Sequence, residues 1–278
     1  MSLIDPTLTH PIQPAFPFLS SQTKDPGSGG TVQPNEPAGS RAIISALKMT
    51  AHPEGGYFTE TDRDRRRVAN PFHASYDSGM AVAAEQQHRF TESTEAAEGA
   101  HATAAQRWGD LARSASTSIY YLLTEGRSVG KWHRNKGRTV HTLHKGRARY
   151  VIIHADEVAM GLRPKGEARV ETWVVGQDVV AGEKLQWIVE GGKYKASFLL
   201  PDVEGGHSSE DGCLISEVSY LESATRSIGL MVLVQTVVPG FEYLDHDFMK
   251  PDALVELIGA EKATELAWLL RMDVAAAE

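Results

Sequence analysis

The sequence predicts an all-β fold, a sandwich or barrel of short strands with short helices at its flanks. Three observations predict it. From about residue 114 to residue 238, apolar and polar residues alternate in short runs, the period of strands that bury one face. Glycines or charged turns separate most of these runs: Gly126, Gly137, Gly146, Gly176, Gly182, Gly191-Gly192 and Gly205-Gly206. Helical periodicity is clear only toward the two ends, at Ser40–Met49 and Ala253–Met272.

Taken in order, residues 1–38 are rich in Pro, Ser, Gly and Thr, a composition that buries little apolar surface and reads as an N-terminal arm, in part docked. Ser40 is a suitable N-cap for a short helix carrying Ile43, Ile44 and Leu47. His52-Pro-Glu-Gly-Gly then makes a turn into a strand. In it Tyr57, Thr59 and Thr61 face one way, and Phe58, Glu60 and Asp62 the other. Residues 65–110 have few large apolar side chains and read as an insertion, with a weak helix near Ala81–His88. Strands follow at Ser114–Leu123, Gly130–Arg134, Thr139–His144, Ala148–His154, Ala168–Val175, Glu183–Val189, Lys195–Leu200, Leu214–Tyr220 and Gly229–Val238. The apolar stripe Leu254, Leu257, Ile258, Leu266, Leu269 and Leu270 closes the chain as a C-terminal helix within 251–278. The domain reading is thus arm, barrel over 39–250, and helix.

Composition excludes several function classes. A formal net charge of -8 and a pI near 5.8 argue against nucleic acid, and the short basic run Arg63–Arg67 contains Asp64. No stretch approaches the ~18 apolar residues of a membrane span. No basic-then-apolar leader pattern is present, so the cytoplasm is the expected compartment. Cys213 is the only cysteine, which rules out an intramolecular disulfide and a cysteine-built zinc site. Its acidic neighbours Glu210 and Asp211 would raise the thiol pKa and argue against a nucleophile.

Four segments carry a family resemblance: His52-Pro-Glu-Gly-Gly-Tyr-Phe with Glu60-Thr61; Arg113–Leu123 followed by Lys131-Trp-His-Arg134; Gly176–Gln186 with Gly191-Gly-Lys-Tyr-Lys-Ala-Ser197; and Thr236-Val-Val-Pro-Gly-Phe-Glu-Tyr243 with Asp247-Phe248. In this order the chain resembles the DUF985, or cupin-5, group of the cupin superfamily. The resemblance implies a jelly-roll, double-stranded β-helix barrel with a pocket for a small-molecule ligand, and pairing of two copies as a homodimer. It also exposes departures. Where relatives usually carry a carboxylate after the Trp-His, this chain has Arg138, Thr139, His141 and Thr142; where they usually carry Trp-Gln, it has Tyr194 and Lys195.

Many cupins hold a metal with two closely spaced histidines, a nearby glutamate and a later histidine, because a divalent ion needs three or four converging N or O ligands. This chain lacks the His-x-His pair and the glutamate, so no cofactor is expected; were a metal bound, His133 and His141 are its ligands. On an alternating strand His141 and His144 point to opposite faces. The candidates are therefore protonatable groups. His133 beside Trp132 is a general acid or base, against the reading of a packed histidine. Lys195 shares a face with Ser197; inside the barrel it is a proton donor, oxyanion stabiliser or imine-forming amine, and on an edge it is a surface lysine. Glu60 is a candidate base, or a carboxylate paired with Arg113 or Arg134. Phe58, Tyr121, Trp132, Tyr194 and Gln235 are expected to line the pocket. The expected function is non-redox acid/base chemistry of isomerase, epimerase or cyclase type, with a metal-dependent oxygenase or a non-catalytic binding protein as alternatives.

Overall fold

The computed structural model describes residues 1–16, 36–73, 111–203, 206, 208–220 and 240–271. The expected strand at 229–238, the helix near 81–88 and Gln235 lie outside the described residues. Two antiparallel sheets face each other. The larger contains β1 (Thr50–Ala51), β2 (Tyr57–Arg63), β5 (Thr117–Leu123), β12 (Cys213–Tyr220), β7 (Arg138–Lys145) and β10 (Gln186–Val189), in that spatial order. The smaller contains β13 (His246–Phe248), β6 (Val129–Asn135), β11 (Tyr194–Leu199), β8 (Ala148–Ile153) and β9 (Val170–Val175). A separate hairpin pairs β3 (Arg67–Ala69) with β4 (Ala112–Ser114).

Alternation assigns each side chain to a layer. On β11, Tyr194, Ala196 and Phe198 face outward and pack with Trp132, Val151 and Ile153 beneath the C-terminal helices. The other set, Lys195, Ser197 and Leu199, faces the space between the sheets. Both faces of the smaller sheet are therefore covered, which explains the unbroken burial along β11. Between the sheets, Leu143, Ile152, Val175, Trp187, Val189, Leu199 and Ile215 fill one end with hydrocarbon. The other end is left to polar groups. On the outer face of the larger sheet, the helix Ala38–Ala46 buries Ile44 against Tyr57 and Leu122.

The predicted C-terminal helix is corrected to two: Pro251–Ile258 and Ala260–Leu266, followed by a 3-10 turn at Ala267–Leu269. Gly259 between them has φ +80°, a left-handed geometry that ends the first helix while the apolar stripe continues through it. Residues 1–16 lie against this region. Ser2 Oγ donates to Glu265, the Ile12 amide donates to the same carboxylate, and Ile12 is buried among Leu266 and Leu269. Phe16 reaches the core between the sheets.

Candidate functional site

The polar end of the sandwich holds two clusters of titratable groups on neighbouring strands. Alternation on β12 puts Cys213, Ile215 and Glu217 on the core-facing side, so a carboxylate enters the interior. Glu217 and His141 are paired positions on β12 and β7, and Lys195 projects toward them from the opposite sheet. Lys195 Nζ donates to Glu217 Oε1 at 2.7 Å and lies 3.1 Å from His141 Nε2; Glu217 Oε2 is 3.1 Å from that same nitrogen. Asn135 Nδ2 donates to Glu217 Oε1 at 3.4 Å, and Lys195 Nζ reaches Thr139 Oγ1 at 3.4 Å. The His141 ring stacks on Trp187, with centroids 5.1 Å apart and planes within 4°.

Electrostatics follow from burial. Burial pushes the Glu217 carboxyl up, but Lys195 and His141 outweigh it and hold the group well below the usual carboxylate range. Burial pushes His141 down, and Lys195 adds to that against the pull of Glu217. At neutral pH the cluster thus contains a carboxylate and a neutral imidazole beside the lysine.

The second cluster gathers at the turn before β2. Gly55, at φ +111°, makes the turn in a region closed to other residues, and a Cβ there would strike the Val129 carbonyl. The turn is tied to β6 by the Lys131 amide, which donates to the Glu54 carbonyl at 2.7 Å. This places the Glu54 carboxylate against two imidazoles: Oε2 is 3.2 Å from His133 Nε2, and Oε1 is 2.7 Å from His246 Nε2. The two rings stack with centroids 5.4 Å apart. His52 Nδ1 accepts the Glu54 amide at 3.2 Å, so its proton sits on Nε2. Burial lowers His133 to about 4, with Glu54 opposing and Lys195 reinforcing the shift. Burial pushes Glu54 up, yet its three histidine neighbours hold it at about 2.

The clusters adjoin, because Lys195 and His133 are paired positions on β11 and β6. Lys195 and Glu217 of the first cluster and His52, Glu54 and His133 of the second line one cavity of about 90 Å³, walled by Phe58, Ile119, Tyr121, Tyr150, Phe241 and Tyr243. Tyr121 Oη is buried and has no hydrogen-bond partner among the described residues. Burial first, and Glu54 next, raise its pKa well above the ordinary value, so the phenol keeps its proton.

Comparison with known proteins is decisive on ancestry. Residues 41–249 match the family described as the cupin superfamily, DUF985. The chain belongs to that family. This cupin is also 34% identical over 239 residues to protein YML079W of Saccharomyces cerevisiae, covering 85% of this chain and 88% of the relative. A solved structure of a hypothetical protein from Leishmania major aligns with a TM-score of 0.53 at 22% identity, covering 82% of this chain and 96% of that one. At that identity the likeness speaks for the fold.

Within this cupin the sequence-derived candidates separate. His133, Lys195, Phe58, Tyr121 and Glu60 all line the cavity, and His141 stands directly behind Lys195 and Glu217. The surface-lysine reading of Lys195 is corrected: the residue is 3% exposed. Glu60 sits at the rim, paired with Arg63 at 2.7 Å and not with Arg113 or Arg134, which bind Asp245 and Asp247. Trp132 and Tyr194 are corrected from pocket to packing. Both face away beneath the C-terminal helices, with Trp132 Nε1 on the Leu266 carbonyl and Tyr194 Oη on Asp247. Between β6 and β11 the register shifts, so that Gly130 and His133, three residues apart, meet Ser197 and Lys195, two apart. His133 and His141 do not form one ligand set; among the described residues, the ligand-type groups gathered with His133 are Glu54 and His246.

Glu217, Glu54 and His246 escaped the sequence reading. For Glu217 the signal was available, since it alternates with Cys213 and Ile215 on one face of the expected strand Leu214–Tyr220 and its N-terminal neighbour. Glu54 stands inside a motif read only as a turn, and His246 one residue before the quoted Asp247-Phe248.

Proposed function

We propose that this cupin is an enzyme performing non-redox proton transfer on a small, uncharged molecule bearing a carbonyl group, as an isomerase, epimerase or cyclase does. The observation that carries the reading is the buried Lys195–Glu217–His141 cluster opening on the cavity. Lys195 and Tyr121 both line the cavity and offer proton donors to a substrate, and the aromatic walls suit a compact organic skeleton. An anionic substrate is disfavoured, because the cations that line the cavity among the described residues, Arg63 and Lys195, are each already bound to a carboxylate.

Chemically, the ammonium of Lys195 donates to the substrate oxygen as negative charge develops on it. In the same step Glu217 accepts the proton leaving the adjacent carbon, whose electron pair supplies that negative charge, and its basicity rises as Lys195 gives up its own proton. His141, neutral and stacked on Trp187, buffers the proton between them.

The reaction leaves a signature that does not require the natural product to be known. Incubated in D2O with a panel of small aldoses, ketoses and hydroxyketones, the wild-type chain is expected to introduce deuterium beside the carbonyl of at least one compound, read by NMR. Lys195→Met and Glu217→Gln should each slow that exchange by about 100-fold or more. Exchange that survives both substitutions, or a panel in which no compound exchanges, refutes the proposal.

A further inference from the structure

We infer that Glu54, His133 and His246 bind one divalent first-row transition-metal ion at the wall of the cavity. Such a site goes beyond the proton-transfer reading and is independent of it. His133 Nδ1 lies 2.7 Å from the Lys131 carbonyl, which can only accept, so the ring's proton in its neutral form is on Nδ1. Nε2 is then a bare lone pair, directed 3.2 Å from an oxygen of Glu54, itself an acceptor when ionised. In the neutral ring these are two lone pairs pointing at each other in a buried site. A cation bound to both turns this repulsion into two ligand bonds.

Other features fit an ion as well. The three donor atoms lie within 4.8 Å of one another, a spread that small side-chain rotations bring to about 2 Å from one centre. A backbone carbonyl on the far nitrogen of His133 fixes tautomer and ring orientation, the usual outer support of a ligating histidine. Glu54 is braced by its own amide on His52 and by its carbonyl on the Lys131 amide, so the carboxylate is held before any ion arrives. Two imidazoles and one carboxylate suit Zn²⁺, Fe²⁺, Mn²⁺ or Co²⁺, and disfavour Mg²⁺ and Ca²⁺, which prefer all-oxygen shells.

The donor set differs from the one the family resemblance implies. Of the two ligands expected from the sequence, His133 and His141, only His133 participates; Glu54 comes from the turn before β2 and His246 from β13. Three protein ligands leave further positions toward the cavity, adjacent to Lys195, where a ligand oxygen could complete the shell.

Titration of the chelator-treated full chain with Co²⁺ alone tests the site. One Co²⁺ per chain is expected, with the visible absorption of a four- or five-coordinate centre. Glu54→Gln and His246→Gln should each weaken binding by more than about tenfold, while His144→Ala, which removes an exposed histidine from the outer face of β7, leaves it unchanged. Failure of the wild type to bind, or an affinity that both cluster substitutions leave intact, overturns the inference. Should a variant misfold, the unaltered protein still decides. Its Co²⁺ form should show a strongly shifted exchangeable proton from His133 Nδ1–H by NMR, and the absence of any such resonance refutes the site. None of these readouts depends on turnover, so they remain separate from the deuterium experiment.

Discussion

Lys195 and Glu217 depend on each other in a way that single substitutions should reveal. Each charge is enclosed, and removing one partner leaves the other without a counter-charge, a loss of about 3–5 kcal/mol for a buried pair. Lys195→Met or Glu217→Leu alone is therefore expected to lower the urea midpoint sharply. The double variant, which leaves no orphan charge, should recover much of the loss; additive effects would show that the pair is not coupled. His141 makes a pH prediction at the same scale. Its folded pKa is depressed, so the unfolded chain takes up a proton near 6.5 while the folded one resists it. Stability is then fully present above about pH 6.5 and declines below it, with a slope approaching about 1.4 kcal/mol per pH unit for this one group. His52 and His133 act in the same direction. Urea midpoints from pH 7.5 to 5.5 test this, and His141→Gln should remove one proton's share of the slope. Among site residues, Lys195 and His133 were legible because strand alternation and a Trp-His motif mark them. Glu54 and His246 were not, since a turn and a three-residue strand have no period from which to infer direction.

At the level of elements, the segment from Tyr243 to Phe248 is pinned by a buried ion pair. Arg113 Nε lies 2.6 Å from Asp245 Oδ2, and the Lys136 amide donates to the Asp245 carbonyl at 2.8 Å. This contact holds the 3-10 turn Tyr243–Asp245 at the mouth of the cavity and sets His246 on the edge of β6. Asp245→Asn should loosen that edge, weakening Co²⁺ binding without altering any ligand atom; unchanged affinity would show that the turn is held by other means. Gly259→Ala tests the helix break. With φ at +80°, any side chain is strained there, and a loss of about 1 kcal/mol is expected in thermal denaturation. Such a break is hard to read from sequence, because the apolar stripe from Leu254 to Leu270 runs on across it. The strands were readable for the opposite reason: period-two runs ended by glycines locate β5 to β12 to within a few residues. The short edge strands β1, β3 and β13 carry too few residues to display a period at all.

For the molecule as a whole, the N-terminal sixteen residues form part of the packed body. Ile12 and Phe16 are each about 5% exposed or less and belong to different core layers, one under the helices and one between the sheets. Burying two such side chains contributes roughly 3–6 kcal/mol, so a chain lacking residues 1–16 should melt many degrees lower; an unchanged midpoint would contradict the packing. Proline and glycine content led the sequence reading to treat this stretch as an arm, and composition alone conceals two apolar anchors. Tertiary layering also decides what Lys195 can do, since its neighbours Tyr194 and Ala196 are claimed by the helix layer. The ammonium and its carboxylate come from opposite sheets and from positions 22 residues apart. Heredity must therefore treat them as a unit: in descendants of the same ancestor that carry glutamine in place of Lys195, the position of Glu217 is released from its acid, and the two sites should change together down each branch.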